Sequence, residues 1–282
     1  MDLIPSNFKP GFQKFVTAKM KEIRRLEVTG PPPPFKGRRA DFTKALLAGA
    51  AARGLAIIAE YKRASPSKGD IDTAFSPQEA AGAFAGADVI SVLTEKSYFK
   101  GELSFIGQLA VSQKPILRKD FIFHTLQIEE TASTLSAAVL LIVGLLNDPD
   151  ELTEFIMLSE ERTLTPVVEV FDEHELEIAR QAGAKVIQVN SRDFSSLTVD
   201  PDRALKLIAK CPPEPQEIWI SASGLSSPVE LRTMAEAGYT AVLVGTFLMS
   251  SDDKAAALDR LIEGLLSFKS EDSGQSSGEA DE

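Results

Sequence analysis

The segment Ile57-Ile58-Ala59-Glu60-Tyr61-Lys62 decides the fold, because it is a short apolar run that ends in alternating charges. A β-strand places every second side chain on one face, so Glu60 and Lys62 lie one above the other where the apolar run ends. Charged groups at the end of a buried strand need partners and often mark a chemical site, although a structural ion pair gives the same pattern. The segment therefore predicts a buried strand with an ion pair or a catalytic pair at its carboxyl end.

Short apolar runs of this kind recur along the chain, with amphipathic segments between them. The predicted strands are Ala56–Glu60, Val89–Leu93, Pro115–Leu117, Val139–Val143, Pro166–Val170, Val186–Val189, Ile218–Ser221 and Ala241–Val244. The predicted helices include Pro77–Ala85, Thr125–Leu135, Asp150–Glu160, Glu173–Ala182, Pro201–Ala209 and Pro228–Glu236. Strands that alternate with helices form a parallel sheet, either open and doubly wound or closed as a (β/α)8 TIM barrel. The number and regular spacing of the strands favour the α/β barrel.

The chain divides into three predicted regions. Residues 1–54 form a helical extension, with two helices separated by the proline run 31–34, which cannot be helical. Residues 55–268 form the barrel, and residues 269–282 form a disordered acidic tail of small and charged residues. Four helix starts are marked by a side-chain acceptor before a first-turn proline, namely Ser76-Pro77, Asp148-Pro149, Asp200-Pro201 and Ser227-Pro228.

Composition limits the classes of partner. The formal net charge of -11 argues against a nucleic-acid surface and against attraction to an anionic membrane. The single cysteine, Cys211, cannot form an internal disulfide, which favours a reducing compartment. The start of the chain lacks a secretory signal, and two histidines do not make a metal site. We therefore expect a cytoplasmic protein with no metal, whose oligomeric state is open and for which a monomer is plausible.

Polar residues stand where the predicted strands end. In a TIM barrel the active site lies at the carboxyl ends of the strands, so these side chains should meet at one mouth. Small residues after the last two strands would let backbone N–H groups approach a phosphate, although a tight turn needs the same residues. The residues concerned are Glu60, Lys62, Lys119, Glu169, Asn190, Ser223, Gly224, Gly245 and Thr246.

Several segments resemble those of indole-3-glycerol phosphate synthases, in order and at suitable spacing, from about residue 8 to 265. The resemblance implies a TIM-barrel enzyme of tryptophan biosynthesis that closes the ring of 1-(2-carboxyphenylamino)-1-deoxyribulose 5-phosphate. Carbon dioxide and water are released, and no metal or organic cofactor is used. The segments are Ile58–Gly69, Ile90–Glu95 with Tyr98-Phe99, Pro115–Phe121, Leu140–Ile142, Val168–Val170, Asn190–Asp193 and Ser223-Gly224.

The resemblance also implies roles for individual residues. Lys119 would be the general acid that protonates the substrate ketone, and Glu169 with Lys62 would serve the later proton transfers. Glu60 and Asn190 would orient these groups. Arg192 would support Asn190. The phosphate or neighbouring substrate atoms would be contacted by Ser65, Ser223, Gly224, Gly245 and Thr246. An apolar wall around the aromatic ring would be formed by Phe99, Phe121 and Leu140.

The chain departs from the family pattern at three positions. Ala222 stands where the family normally has a glutamate, Gln188 where it usually has a glycine, and Ala137 where it usually has an aspartate. Since strands six and seven are neighbours, Gln188 could fill volume that Ala222 vacates. If the missing charge matters, turnover should be slower.

Two other functions are compatible with parts of this pattern. A catalytically weakened barrel could act as a phosphate-binding or assembly subunit, and Ala222 is the only support for it. A phosphoribosylanthranilate isomerase is disfavoured, because a resemblance to that family would imply a cysteine at a strand end as part of its acid-base pair. Cys211 does not lie at a strand end.

Overall fold

The computed structural model describes residues 8–275, and its centre is a closed barrel of eight parallel strands. Each strand pairs with its neighbours in the chain, and the last strand pairs with the first. The predicted TIM barrel is confirmed. The strands are β1 (Ala56–Tyr61), β2 (Val89–Leu93), β3 (Ile116–Lys119), β4 (Ala138–Ile142), β5 (Thr165–Val170), β6 (Val186–Asn190), β7 (Ile218–Ala222) and β8 (Ala241–Val244).

Helices surround the barrel, and a short hairpin of Ala64–Ser65 with Gly69–Asp70 follows β1. Within residues 8–275, two 3-10 helices, Pro10–Phe12 and Ala110–Ser112, accompany them. The α-helices are α1 (Gln13–Thr29), α2 (Phe42–Arg53), α3 (Pro77–Ala83), α4 (Phe105–Leu109), α5 (Thr125–Ala132), α6 (Pro149–Glu161), α7 (Glu173–Gln181), α8 (Arg203–Lys210), α9 (Pro228–Ala237), α10 (Thr246–Ser250) and α11 (Lys254–Gln275).

Three of the four predicted helix caps are confirmed. The side chains of Ser76, Asp148 and Ser227 accept hydrogen bonds from backbone N–H groups in the first turns of α3, α6 and α9. The prediction for Asp200 was wrong, because α8 begins at Arg203 and its N-cap position is Asp202. The Asp200 carboxylate instead accepts from the backbone N–H of Asp202 at 3.1 Å, so it stabilises a turn ahead of the helix.

The strand register determines which side chains enter the barrel. Glu169 of β5 lies opposite Gln188 of β6, and Asn190 lies opposite Ala222 of β7. Residues that share a register row project to the same face, so these four point into the interior. Trp219 has the opposite parity and packs, fully buried, against Tyr239 in the outer layer.

The two helices α1 and α2 precede the barrel, and residues 30–40 between them have no regular structure. The backbone N–H of Phe35 donates to the carbonyl of Ala132, at the end of α5, at 2.8 Å. At the other end of the chain, α11 continues to Gln275, into the range where a disordered tail was predicted. Residues 276–282 of that predicted tail lie outside the described residues, as do residues 1–7.

Among the helices of residues 8–275, none combines the length and the apolar character that crossing a bilayer requires.

Candidate active site

A cavity of about 610 Å³ opens at the carboxyl ends of the barrel strands. Glu60 and Lys119 reach it from opposite sides of β2, and Glu169 and Asn190 reach it from β5 and β6. All residues that the sequence proposed for the site line this one cavity: Glu60, Lys62, Ser65, Phe99, Lys119, Phe121, Leu140, Glu169, Asn190, Arg192, Ser223, Gly224, Gly245 and Thr246. Their chemical roles remain predictions.

Glu60 holds two lysines at the floor of the cavity. The Nζ atom of Lys119 lies 2.9 Å from Oε1 of Glu60, and Lys62 forms an ion pair with Oε2 of the same carboxylate. Burial opposes ionisation of Glu60, but the two ammonium groups outweigh it and the pKa of Glu60 falls to about 2. A carboxylate that stays ionised under all ordinary conditions therefore separates two cations.

The two lysines differ in their surroundings. Burial disfavours the charged form of both, but Lys119 also faces Glu169, and the two carboxylates raise the pKa of Lys119 above its ordinary value. For Lys62, burial together with the repulsion of Lys119 outweighs the attraction of Glu60, and the pKa of Lys62 is lowered. The site thus contains one lysine that is firmly protonated and one that releases its proton more easily.

Glu169 is a buried carboxyl with amide donors on both of its oxygens. The Asn190 Nδ2 atom donates to Oε1 of Glu169 at 3.1 Å, and Nε2 of Gln188 donates to Oε2. Burial raises the pKa of Glu169 above its ordinary value, although the charge of Lys119 and both amides oppose that shift. A carboxyl with a raised pKa keeps its proton to higher pH than an ordinary glutamate, which suits it to proton transfer.

Asn190 is fixed by its neighbours. Its Oδ1 atom accepts hydrogen bonds from the backbone N–H of Arg192 at 3.0 Å and from the Ser223 hydroxyl at 2.9 Å. Arg192 therefore supports Asn190 through its backbone. The guanidinium of Arg192 instead donates to the carbonyl of Leu197 at 2.8 Å and to the Ser67 hydroxyl at 3.3 Å.

The apolar wall contains two aromatic residues that the sequence did not single out. Phe15 of α1 stacks on Phe121 with ring centroids 4.0 Å apart, and Phe194 contacts Phe121 edge-on at 6.0 Å. Both line the cavity beside Phe99 and Leu140. Phe194 directly follows the segment Asn190–Asp193 and could have been found there, whereas nothing local distinguishes Phe15 from an ordinary core residue of a helix.

The opposite side of the cavity is formed by small residues from β7, β8 and the loop after β1. Ser223 and Gly224 have consecutive positive φ angles of 76° and 87°, which turn the backbone sharply at the end of β7. Gly245 lies against Glu60, whose carboxyl carbon would be 2.9 Å from an added Cβ. Ser65 is nearly buried, and its hydroxyl accepts from the backbone N–H of Lys68 at 3.2 Å.

No group of three or more His, Cys, Asp or Glu side chains within the described part of the chain is arranged to hold a metal ion. His124 serves as the N-cap of α5, where its Nδ1 atom accepts from the backbone N–H of Leu126 at 3.2 Å.

Comparison with known proteins identifies the family to which this site belongs. Residues 15–261 match the family model described as indole-3-glycerol phosphate synthase. The chain belongs to the indole-3-glycerol phosphate synthase family. An indole-3-glycerol phosphate synthase from Caldanaerobacter subterraneus is 38% identical over 248 residues, which cover 86% of this chain and 94% of the relative. Another, from Aquifex aeolicus, is 41% identical over 225 residues, or 79% of this chain and 85% of the relative.

The predicted family, and with it the predicted lyase function, is confirmed by these relatives. Among solved structures, 3-hexulose-6-phosphate synthase from Salmonella typhimurium superimposes with a TM-score of 0.60 at 16% identity, covering 76% of this chain and 99% of that one. At that identity the likeness shows the barrel fold alone.

Two of the three departures from the family pattern lie beside residues of the site, whereas Ala137 precedes β4 at the other end of the barrel. Ala222 is fully buried, and its register partner is Asn190. Gln188 lies one inward row deeper, where its register partners are Glu169 and Ile220. Gln188 is therefore placed to act on Glu169. The proposed exchange of volume between Gln188 and Ala222 stays a prediction.

Proposed function

We propose that the chain carries out the ring closure of 1-(2-carboxyphenylamino)-1-deoxyribulose 5-phosphate, and that Lys119 is the acid of the first step. The supporting observation is that Lys119, at the floor of the cavity, forms an ion pair with Glu60. The negative charges of Glu60 and Glu169 raise the pKa of Lys119 and keep it protonated. Bond formation at the ketone carbon moves an electron pair onto the ketone oxygen. An ammonium at that oxygen donates a proton as the negative charge develops, which lowers the barrier.

The later steps need a group that both accepts and donates protons. Loss of carbon dioxide returns its bonding electrons to the ring system, and loss of water requires a proton on the departing hydroxyl and removal of a proton from the new ring. Glu169, whose pKa is raised by burial, is suited to these transfers. Lys62, whose pKa is lowered by burial, is the second candidate.

The two sides of the cavity fit the two ends of this substrate. Phe99, Phe121 and Leu140 provide an apolar surface for the aromatic ring. Ser65, Gly224, Gly245 and Thr246 form the side with small residues, where backbone groups can approach a phosphate closely, and Lys62 supplies a nearby positive charge. The cavity is thereby able to hold the reacting carbon atoms near Lys119.

The substitution Lys119→Met tests this assignment. We expect kcat for indole-3-glycerol phosphate formation, followed by the indole fluorescence of the product, to fall by roughly 10²–10⁴-fold, because general acid catalysis contributes about that much. The control is Lys185→Met, since Lys185 is exposed ahead of β6 at the opposite rim of the barrel. A Lys119→Met protein that melts like the parent and turns over within a few-fold of it would contradict the role of Lys119.

The catalytically weakened binding subunit that the sequence left open has Ala222 as its only support, and the relatives named above do not favour it. The same assay on the unmodified protein separates the two functions. We further propose that the protein works in the cytoplasm on a phosphorylated small molecule, without a cofactor and without nucleic-acid or membrane partners. The net charge of -11 supports the last two points.

A further inference from the structure

We propose that Gln188 is a positioning residue that holds Glu169 in both of its protonation states by rotating its amide. This inference rests on the proposed function, in which Glu169 exchanges protons. It concerns a side chain that the family pattern does not supply, since a glycine usually stands at this position of β6.

Gln188 touches the reacting groups only through Glu169. It is fully buried on the inward face of β6, directly opposite Glu169 in the register of β5 and β6. Its Nε2 atom donates to Oε2 of Glu169, and it is absent from the residues that line the cavity. Gln188 therefore lies behind the carboxyl group, on the side away from the substrate.

The two amides that hold Glu169 are not equivalent. The Oδ1 atom of Asn190 accepts hydrogen bonds from the backbone of Arg192 and from the Ser223 hydroxyl, so the orientation of the Asn190 amide is fixed. The Oε1 atom of Gln188 is buried and has no hydrogen-bond partner among residues 8–275. Nothing in the hydrogen-bonding pattern therefore prevents the Gln188 amide from turning over.

This difference matters because Glu169 changes its hydrogen-bonding character when it takes up a proton. The ionised carboxylate only accepts hydrogen bonds, whereas the protonated acid must also donate one. A fixed amide N–H group would leave an acid proton on Oε2 facing another donor. Rotation of the Gln188 amide places Oε1 there to accept that proton, and the orphaned acceptor gains a partner.

The proposal assigns a function to an otherwise costly group. A buried carbonyl oxygen with no partner destabilises the folded state, and such groups in folded proteins call for an explanation. In the proposed cycle, Oε1 of Gln188 lacks a partner only while Glu169 is ionised, because it accepts a hydrogen bond whenever Glu169 is protonated.

The test is the pH dependence of kcat and KM for Gln188→Met and Gln188→Glu, with Gln181→Met as the control. Gln181 is exposed on α7, so its variant should behave like the parent. Methionine fills the same volume but cannot hold the carboxylate. The variant loses the hydrogen bonds to both forms of Glu169, but the bond to the ionised carboxylate is charge-assisted and is the stronger of the two. We therefore expect the acid limb of the kcat profile to move to higher pH and kcat to fall about tenfold, with KM little changed.

Gln188→Glu keeps the size of the side chain but puts a second carboxyl group beside Glu169. Two carboxyls in contact share one proton, so the acid limb should move to higher pH still. If Gln188→Met fails to fold, this variant still tests the contact, because an unchanged acid limb would show that the side chain at position 188 does not act on Glu169. An acid limb that stays at the parental pH in a folded Gln188 variant, or a loss confined to KM, overturns the proposal. If the unmodified protein forms no indole-3-glycerol phosphate, the proposed function fails instead.

Discussion

At the residue scale, the site depends on close contacts between groups of opposite charge and on the space left beside them. The carboxylate of Glu60 separates Lys62 from Lys119, and Gly245 leaves just enough room for that carboxylate. The strand ends in the sequence indicated which charged residues to expect. They gave no indication that Glu60 also pairs with Lys119, because that contact joins residues 59 positions apart.

Gly245→Ala should weaken catalysis without a large change in the fold. The added methyl group would meet the Glu60 carboxyl group and push it from its place between the lysines. We expect kcat to fall by about tenfold or more, since displacing a catalytic group by even 1 Å can cost roughly 10²-fold. Steady-state kinetics measures the effect.

The matched control is Gly82→Ala. Gly82 lies in α3, where an added Cβ meets no other heavy atom within 4 Å, and alanine favours a helix more than glycine does. Equal activities for the two alanine variants would show that Glu60 does not need its observed position.

At the element scale, the extension ahead of the barrel is joined to the end of β3, the strand that carries Lys119, by a buried ion pair. The Nζ atom of Lys19, on α1, lies 2.7 Å from Oδ2 of Asp120, the residue that follows Lys119. Both side chains are almost completely buried. Burial opposes the ionisation of Asp120, but Lys19 and Arg118 outweigh it, and the pKa of Asp120 is lowered. A lysine in an amphipathic helix is typical of a surface, so the sequence did not indicate this contact.

Lys19→Met should destabilise the protein by about 3 kcal/mol, because removing one partner of a buried ion pair leaves the other charge undercompensated. Urea unfolding measures the loss, and Lys21→Met, at an exposed position of the same helix, is the control. We also expect a lower kcat below the melting temperature, since Asp120 adjoins Lys119. Equal stability of the two variants would mean that Arg118 alone suffices for Asp120.

At the scale of the whole molecule, the two site carboxylates have opposite effects on stability as the pH changes. The pKa of Glu60 is about 2 in the folded protein, below its ordinary value of 4.5, so its stabilisation is present above pH 4.5 and is lost as the pH falls toward 2. The folded pKa of Glu169 is raised by burial, so its ionised form costs stability above that pKa. The fold thus carries a cost for the group that we propose to transfer protons.

Glu169→Gln should therefore raise the melting temperature near pH 8 while lowering kcat by roughly 10²-fold or more. The gain in stability should vanish below pH 4.5, where the carboxyl is protonated in both the folded and unfolded states. Thermal melts across this pH range provide the measurement. Glu154→Gln, at an exposed position of α6, should change neither property. A lower melting temperature for Glu169→Gln at pH 8 would contradict the predicted cost.

The sequence by itself determined the barrel, the approximate limits of its strands and the residues at their carboxyl ends. Apolar periodicity, capping residues and strand parity are local properties, and every member of the predicted site lines the one cavity. Tertiary structure alone decided that Phe15 completes the apolar wall, that Lys19 reaches Asp120 and that Asp200 precedes its helix instead of capping it. Such contacts depend on how separate elements pack against one another. The spacing of two residues along the chain carries no information about that packing.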